Sequence, residues 1–443
     1  MDYSSEANKI FVNEVWYGLI NDDWKYKKIK YVFDERKETN NPIKTEELIS
    51  LTMEDGVVPH SMKTGSGGNK PKDDLSKYKV VHPGDIVINP MNVIVGSVGL
   101  SKYYGVLSPV YITLTPKEDS GKVEFYDYLF STELFQKSLM GMGNGILIRE
   151  SESSGKLNTI RMRIPMEKLG NHFLPIPPRE EQKQIVDFLD KKTTQIEKLI
   201  KKIEQKIELL KKQRNSIIDE VVTQGLNPNV EKKESGVEWI GEIPSHWKIS
   251  KLKYLVSENQ ESLSSSTDPD LELDYIEISD VNSIGEFKKP TKYIFSESPS
   301  RCRRICRKGD VIISTVRTYL KSIGIIEEQR ENLICSTGFS VLTPKSQYLS
   351  KYVFYMLRSN WFISKIISRS EGVSYPSIQS HKLLGTDVII MDKQEQQKIV
   401  EFLDEETQKI DKTIYKEEKR IELLKEYKQS LISEVVTGKK RVV

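Results

Sequence analysis

Residues 179–223, REEQKQIVDFLDKKTTQIEKLIKKIEQKIELLKKQRNSIIDEVVT, decide the architecture, because they recur at 393–437 as KQEQQKIVEFLDEETQKIDKTIYKEEKRIELLKEYKQSLISEVVT. The two stretches align without a gap at an offset of 214, with about half the positions identical, which chance does not produce. Apolar residues recur at spacings of three and four: Leu189, Ile196, Ile200, Ile203, Ile207, Leu210, Ile217 and Val221, then Leu403, Ile410, Ile414, Ile421, Leu424, Leu431 and Val435. This predicts two long helices sharing a coiled-coil seam, each spanning on the order of 65 Å. That is longer than one small domain needs for packing, so the helices read as a spacer. Arg214 and Lys428 fall at equivalent seam positions and Glu417 replaces the apolar Ile203. Such charges either pair and set the register or snorkel out at the seam edge.

Working outward, the repeat extends beyond the helices. EVWYGLINDDWKYKKIKYVF from Glu14 matches VEWIGEIPSHWKISKLKYLV from Val237, so that Trp16 and Trp24 correspond to Trp239 and Trp247. PGDIVI at Pro83 answers KGDVII at Lys308, and SVGL at Ser97 answers SIGI at Ser322. Between these islands the halves differ freely, as in the glycine-rich MKTGSGGNKPK around Gly65. The framework is duplicated and its decoration is not. Short β-branched runs at 85–89, 106–114, 310–315 and 339–342 predict strands, and 125–140 and 348–367 predict shorter helices. The expected fold is α+β: two domains in tandem pseudo-repeat, at 1–175 and 235–389, joined by long helices at 176–226 and 390–443 that form an antiparallel coiled coil. A linker occupies 227–234, after the Gly225 and Pro228 stop signals.

Composition sets limits on function. A chain of 443 residues exceeds what one hydrophobic core supports. A net charge of +3 does not identify a nucleic-acid binder; clustering of Lys and Arg has to do so. Cys302, Cys306 and Cys335 make no disulfide framework, and no second Cys/His pair completes a zinc site. The amino terminus shows no export signal and no window reads as a membrane span, so a cytoplasmic, membrane-free protein is expected.

A duplicated chain with an antiparallel helix pair suits DNA, whose local two-fold symmetry lets two readers at a fixed separation address two half-sites. The candidate DNA-binding residues are cationic. Arg301, Arg303, Arg304, Arg307 and Lys308 form a dense run, followed by Arg317, Tyr319 and Lys321. The first half offers Lys63, Lys70 and Lys72 among glycines, then Arg149, Arg161 and Arg163. Such side chains neutralise phosphates, and arginine forks onto guanine edges.

The ensemble EWIGEIPSHW, (P/K)GD(I/V)(V/I)I, LPIPPREEQKQIVDFLD and IELLKKQRNSIIDEVVTQG resembles the specificity subunits of Type I restriction-modification enzymes, and covers nearly the whole chain in family order. The resemblance implies that each variable part is a target-recognition domain for double-stranded DNA and that the helices are conserved spacers. It also implies a complex with two adenine-N6 methyltransferase subunits, to which restriction subunits add ATP-dependent cleavage. Pro177 and Pro178 stand in the family's helix-start motif. The second half has Met391 and Asp392 there, with Asp392 able to cap the helix.

Catalytic readings fare poorly. The chain shows no cofactor glycine loop, no Asn/Asp-Pro-Pro-aromatic motif for a flipped base and no ATP-binding loop, so no cofactor is expected. Pro269-Asp270 followed after 15 residues by Glu286-Phe287-Lys288 has the spacing of a magnesium nuclease, but only one half carries it and it reads as surface. The five histidines include no zinc-hydrolase or nucleophile pairing. The alternative from another class is a coiled-coil scaffold joining two protein-binding domains.

Overall fold

A computed structural model of the chain describes residues 23–53, 56–64, 74–144, 148–150, 157–159 and 163–442. It divides into two compact units, one comprising residues 1–202 and 420–443 and the other residues 203–419. Each unit therefore contains a piece of both long helices, Arg179–Gln224 and Lys393–Val436. Among the described residues no helix is long and apolar enough to cross a membrane.

Both units are built on the same antiparallel four-stranded sheet. In the first its order is Phe33–Glu35, Ile112–Pro116, Ile86–Ile88, Val98–Leu100; in the second it is Val256–Glu258, Phe339–Pro344, Val311–Ser314, Ile323–Ile325. The inner strands bury every residue of their Ile-Val-Ile and Val-Ile-Ile runs, so their sequences are continuously apolar where a half-exposed strand would alternate. The PGD and KGD motifs turn the chain into these strands. Gly84 and Gly309 take φ of +92° and +91°. The following aspartates are buried and pin the turn: Asp85 accepts from the His82 amide (2.8 Å) and Thr115 Oγ1 (2.9 Å), and Asp310 from the Arg307 amide (2.7 Å) and Thr343 Oγ1 (2.6 Å).

Around the shared sheet the units diverge. The first adds the hairpin Ile49–Thr52 with Gly56–Pro59 and pairs Lys79–Val81 with Gly105–Leu107. The second adds a four-stranded sheet in the order Thr291–Ile294, Glu272–Ile276, Leu333–Ser336, Cys302–Ile305, whose middle pair is parallel. The run 106–114, expected as one strand, is two, Gly105–Leu107 and Ile112–Pro116, serving different sheets. Each short helical pattern is likewise broken in two. Val123–Ser131 gives way to Glu133–Ser138 at Thr132, whose Oγ1 accepts from the Phe135 amide (3.2 Å), and Ser350–Arg358 gives way to Asn360–Ser368 at Ser359. In the second case Asp219 on the first long helix accepts from both the amide and Nδ2 of Asn360 (2.6 Å each), which starts the new helix.

The long helices are fastened by the same set of bonds in both units, to which the second adds Lys351 on Asp404 (2.8 Å) and His246 at 2.9 Å from Glu395. The indole of Trp24 donates to Glu181 (3.0 Å) and that of Trp247 to Glu395 (2.8 Å). Gln182 accepts from the Lys122 amide and Gln396 from the Leu349 amide, each at 2.9 Å, while Tyr128 donates to Asp190 (2.6 Å) and Tyr355 to Asp404 (2.8 Å). Burial pushes the pKa of both tyrosine hydroxyls up, keeping them protonated donors. The repeated Glu-Gln and Asp of EEQKQIVDFLD and QEQQKIVEFLD are thus the rivets between helix and domain. Asp392 caps the second long helix by accepting from the Glu395 amide (2.9 Å).

Within each unit the two helix pieces pack side by side and are bridged by ion pairs. Glu197 meets Lys428 (2.6 Å) in the first unit; Lys206 meets Glu417 (2.5 Å) and Arg214 meets Asp411 (2.9 Å) in the second. In the second unit the one number rises as the other falls, and in the first the earlier Ile185, Val186 and Leu189 share a core with the later Leu431, Ile432 and Val435, so the pairing is antiparallel in each unit. Ile196, Ile203, Ile207, Ile410 and Ile414 are buried in the seam, whereas Leu210, Ile217, Ile421 and Leu424 are only half-buried.

Candidate nucleic-acid interface

At one edge of the shared sheet each unit carries a turn and a hairpin held against it. In the second unit the turn follows Val311–Ser314: a single 3-10 turn, Thr318–Leu320, flanked by Arg317 and Lys321. The hairpin closes where Glu371 pairs with Ser377, and Ser377 also bridges to Val316. The Arg317 amide donates to Pro376 O (2.7 Å), the Ile378 amide to Thr315 O (2.9 Å), and Thr318 Oγ1 lies 2.9 Å from Ser370 Oγ. The first unit repeats the scheme. The 3-10 turn is Val93–Val95, Asn144 pairs with Arg163, and the Ile164 amide donates to Pro90 O (3.0 Å). What differs is the cargo between these fixed points, residues 145–162 in the first unit and 372–376 in the second.

In the second unit this edge is exposed and mixed in chemistry. Arg317 sits over the Tyr375 ring at 4.5 Å, and Tyr319, Leu320, Val373 and Tyr375 are all exposed. Arg317 and Lys321 both take left-handed backbone, φ +53° and +57°, which costs a residue with a Cβ about 1 kcal/mol or more and persists only where surrounding bonds enforce it. At the position corresponding to Lys321 the first unit has Gly96, φ +94°.

The residues of the arginine run have unlike surroundings. Arg307 is forked onto Glu261 at 2.5 and 3.1 Å, and each partner holds the other charged: the carboxyl is lowered and the guanidinium raised, hydrogen bonding being the leading cause. Arg303 lies 4.8 Å over Phe295 and donates to Cys302 O, while Arg304 is half-buried and reaches Ser262 Oγ (3.3 Å). Arg301 and Lys308 are exposed. All five belong to strand Cys302–Ile305 and its flanks, in the sheet peculiar to the second unit, whereas Arg317, Tyr319 and Lys321 belong to the shared framework. Lys63, half-buried, follows the 3-10 turn His60–Met62. Lys70, Lys72 and Arg161 lie outside the described residues; Arg149 falls in strand Ile148–Glu150 of the first unit's hairpin, which Arg163 closes.

The hairpin at 371–377 escaped the reading of the sequence. GVSYPS carries no charge and no helical or strand period; the available signal was an exposed aromatic beside Gly372 and Pro376. Glu286 accepts from Asn282 Nδ2 (2.9 Å) within a tight turn and Asp270 lies in an exposed turn, while a 540 Å³ cavity beside Glu286 mixes Arg214, Lys351 and Arg330 with Asp404, Asp411 and Glu327. Among the described residues no group of three or more His, Cys, Asp or Glu could hold a metal.

The model of the Type I restriction modification DNA specificity domain matches residues 21–209 and 244–425. The chain is 25% identical over 380 residues to the Type I restriction enzyme MjaVIII specificity subunit of Methanocaldococcus jannaschii, covering 83% of each chain. It is 24% identical over 447 residues to the putative type I restriction enzyme MjaX specificity subunit of the same organism, covering 96% of this chain and 95% of that one. Among solved structures, a chain from work on complex assembly and conformational transition of the type I R-M system superposes with a TM-score of 0.66 at 15% identity, over 94% of this chain and 98% of that one. The HsdS subunit from Thermoanaerobacter tengcongensis does so with a TM-score of 0.51 at 16% identity, over 95% and 98%. With both halves matched by the same domain model, in a fold shared with such subunits, the chain belongs to the family of Type I restriction-modification specificity subunits.

Proposed function

We propose that the two units are target-recognition domains that read the two different halves of a bipartite double-stranded DNA target. Bound there, the chain positions two methyltransferase subunits for adenine methylation, and restriction subunits for cleavage, without catalysing either reaction. The observation that carries this reading is the pairing of a duplicated framework with unlike segments at one framework position, 18 residues of sequence carrying the strand pair Ile148–Glu150 and Leu157–Thr159 in the first unit and the five residues 372–376 in the second. Identical frames holding different reading loops are what an asymmetric two-part sequence requires, because base edges are read by the side chains presented to the groove.

The test is co-expression with the neighbouring methyltransferase, followed by single-molecule mapping of N6-methyladenine. A bipartite motif that appears only with this chain is expected. Replacing residues 10–175 with the first domain of another family member changes one half-site and leaves the other. A complex that forms without producing any motif, and whose DNA affinity does not weaken steeply with salt, points instead to a protein scaffold.

A further inference from the structure

Resting on that reading, we propose that Arg317, seated on Tyr375, is the residue that reads a guanine in the half-site of the second unit. Three observations converge on it. The guanidinium lies over the Tyr375 ring at 4.5 Å, and among the described residues none of its donors meets a carboxylate or carbonyl. This sets it apart from Arg307, which is forked onto Glu261, and from Arg303, which donates to a carbonyl. A guanidinium held over a ring, with no hydrogen-bonding partner among the described residues, keeps its N–H edge available, and that edge matches O6 and N7 of guanine in two parallel bonds.

The surroundings suit a base edge better than a phosphate. Val373 is 102% exposed and Tyr375 62%, with Tyr319 and Leu320 beside them at 50% and 41%. Apolar tips of this kind pack against the thymine methyl and the floor of a groove, whereas phosphate contacts come from hydrated cations and backbone amides. The mount is also rigid. Left-handed backbone at Arg317 and Lys321 is enforced by the bond from the Arg317 amide to Pro376 O and by the Thr318–Ser370 contact, which fix where the guanidinium starts. At the corresponding framework position the first unit carries Asn92, in ordinary backbone with φ −127°. The two units therefore do not present the same reader.

The experiment uses the full chain assembled with its methyltransferase and compares methylation of duplexes in which each position of the second half-site is varied. Wild type should require guanine at one position there. R317A should make that position degenerate, discrimination falling on the order of tenfold to a hundredfold, with the other half-site unchanged. R317K retains the charge without the fork and should be relaxed at the same position; Y375A should relax it less, and Y375F should keep the wild-type motif. Thermal unfolding of each complex separates loss of the fold from loss of reading. Should R317A fail to assemble, R317K and Y375A decide the matter. Retention of the wild-type motif by R317K or R317A, or a uniform fall at every sequence, overturns the assignment and makes Arg317 a phosphate contact or a structural residue. A wild-type complex with no bipartite motif fails the underlying reading instead.

Discussion

The same ion pair is written twice, once in each unit, and the copies have gone different ways. Arg214 and Lys428 are equivalent in the repeat, and so are their partners Asp411 and Glu197. In the second unit Arg214 is 5% exposed and forked onto Asp411, Nε at 2.9 and 3.2 Å and Nη2 at 3.1 Å. In the first unit Lys428 reaches Glu197 with one bond of 2.6 Å, and the carboxylate side chain is 60% exposed. Both alternatives raised by the sequence occur: the arginine is a buried, paired charge, and the lysine carries its charge out to the edge. Duplication preserved the geometry that sets helix register, while burial decided how much depends on it.

The largest expected effect breaks that comparison directly. D411A strands a buried guanidinium and should destabilise the second unit by about 3 kcal/mol, whereas E197A in the first should cost less than about 1 kcal/mol. Hydrogen exchange followed peptide by peptide through a urea series reads the units separately. Equal losses in both would show that the buried fork contributes no more than the exposed pair. Replacing both members of the buried pair by apolar residues should recover most of the loss, since the penalty comes from the unpaired charge.

Periodicity exposed the long helices because seam residues recur over many turns, and self-similarity exposed the tandem units because the framework tolerates little change. The strand-opening GD motif was legible too, although its cause, a buried aspartate tying the turn, needed coordinates. Two things were not legible. Local patterning ran 125–140 together as one helix because the break is made by the side chain of Thr132, and 348–367 because Asp219 starts its second helix from another element. The candidate reading edge was half visible: Arg317, Tyr319 and Lys321 stood out by charge and aromaticity, but the Arg301–Lys308 run outweighed them, since sequence does not reveal that Glu261 neutralises Arg307. Tyr375 gave only the signal of an aromatic among turn residues, its partner Arg317 lying far away in the chain.

A second contrast concerns acid. His172 in the first unit corresponds to Thr386 in the second, and their carbonyls accept from the equivalent amides of Ile29 (2.9 Å) and Leu252 (3.0 Å). Burial lowers the His172 imidazole to about 4, against an ordinary value of 6.5, with Ser138 Oγ 2.8 Å from its Nε2 and the Phe135 ring beside it. The unfolded chain takes up this proton near 6.5 and the folded unit only near 4, so stability present above 6.5 is lost as pH falls between those values. Asp127 in the same unit is pushed up to about 6, chiefly by burial, and its protonation acts in the opposite direction over the lower part of that window. The net expectation is a first unit that weakens only gently from pH 6.5 to 6, by about a quarter of the 1.4 kcal/mol per pH unit that one whole proton would give, because the two part-titrations oppose each other. H172T, which copies the second unit, should remove that loss and leave the small opposite slope of Asp127, so that the unit gains rather than loses stability as pH falls towards 6. A loss on acidification that survives the substitution assigns the acid sensitivity to another group.

The smallest effect sharpens the comparison where the copies have not diverged. Tyr128 and Tyr355 donate to Asp190 and Asp404 at 2.6 and 2.8 Å, with Thr193 and Thr407 at 3.4 and 3.2 Å from the same hydroxyls. Removing one hydroxyl leaves a carboxylate that water can still reach at the helix surface, so Y128F and Y355F should each cost about 1 to 1.5 kcal/mol. Each loss should be confined to its own unit, and the double variant should show the two losses adding, because the sites share no partner. Hydrogen exchange in the segments around 185–195 and 399–409 measures both. Unequal losses would mean that the rivets joining helix to domain have drifted apart like the ion pairs. Equality would place the divergence at the seam and the reading loops, leaving the helix-to-domain joint as the part of the duplicated frame that neither copy has altered.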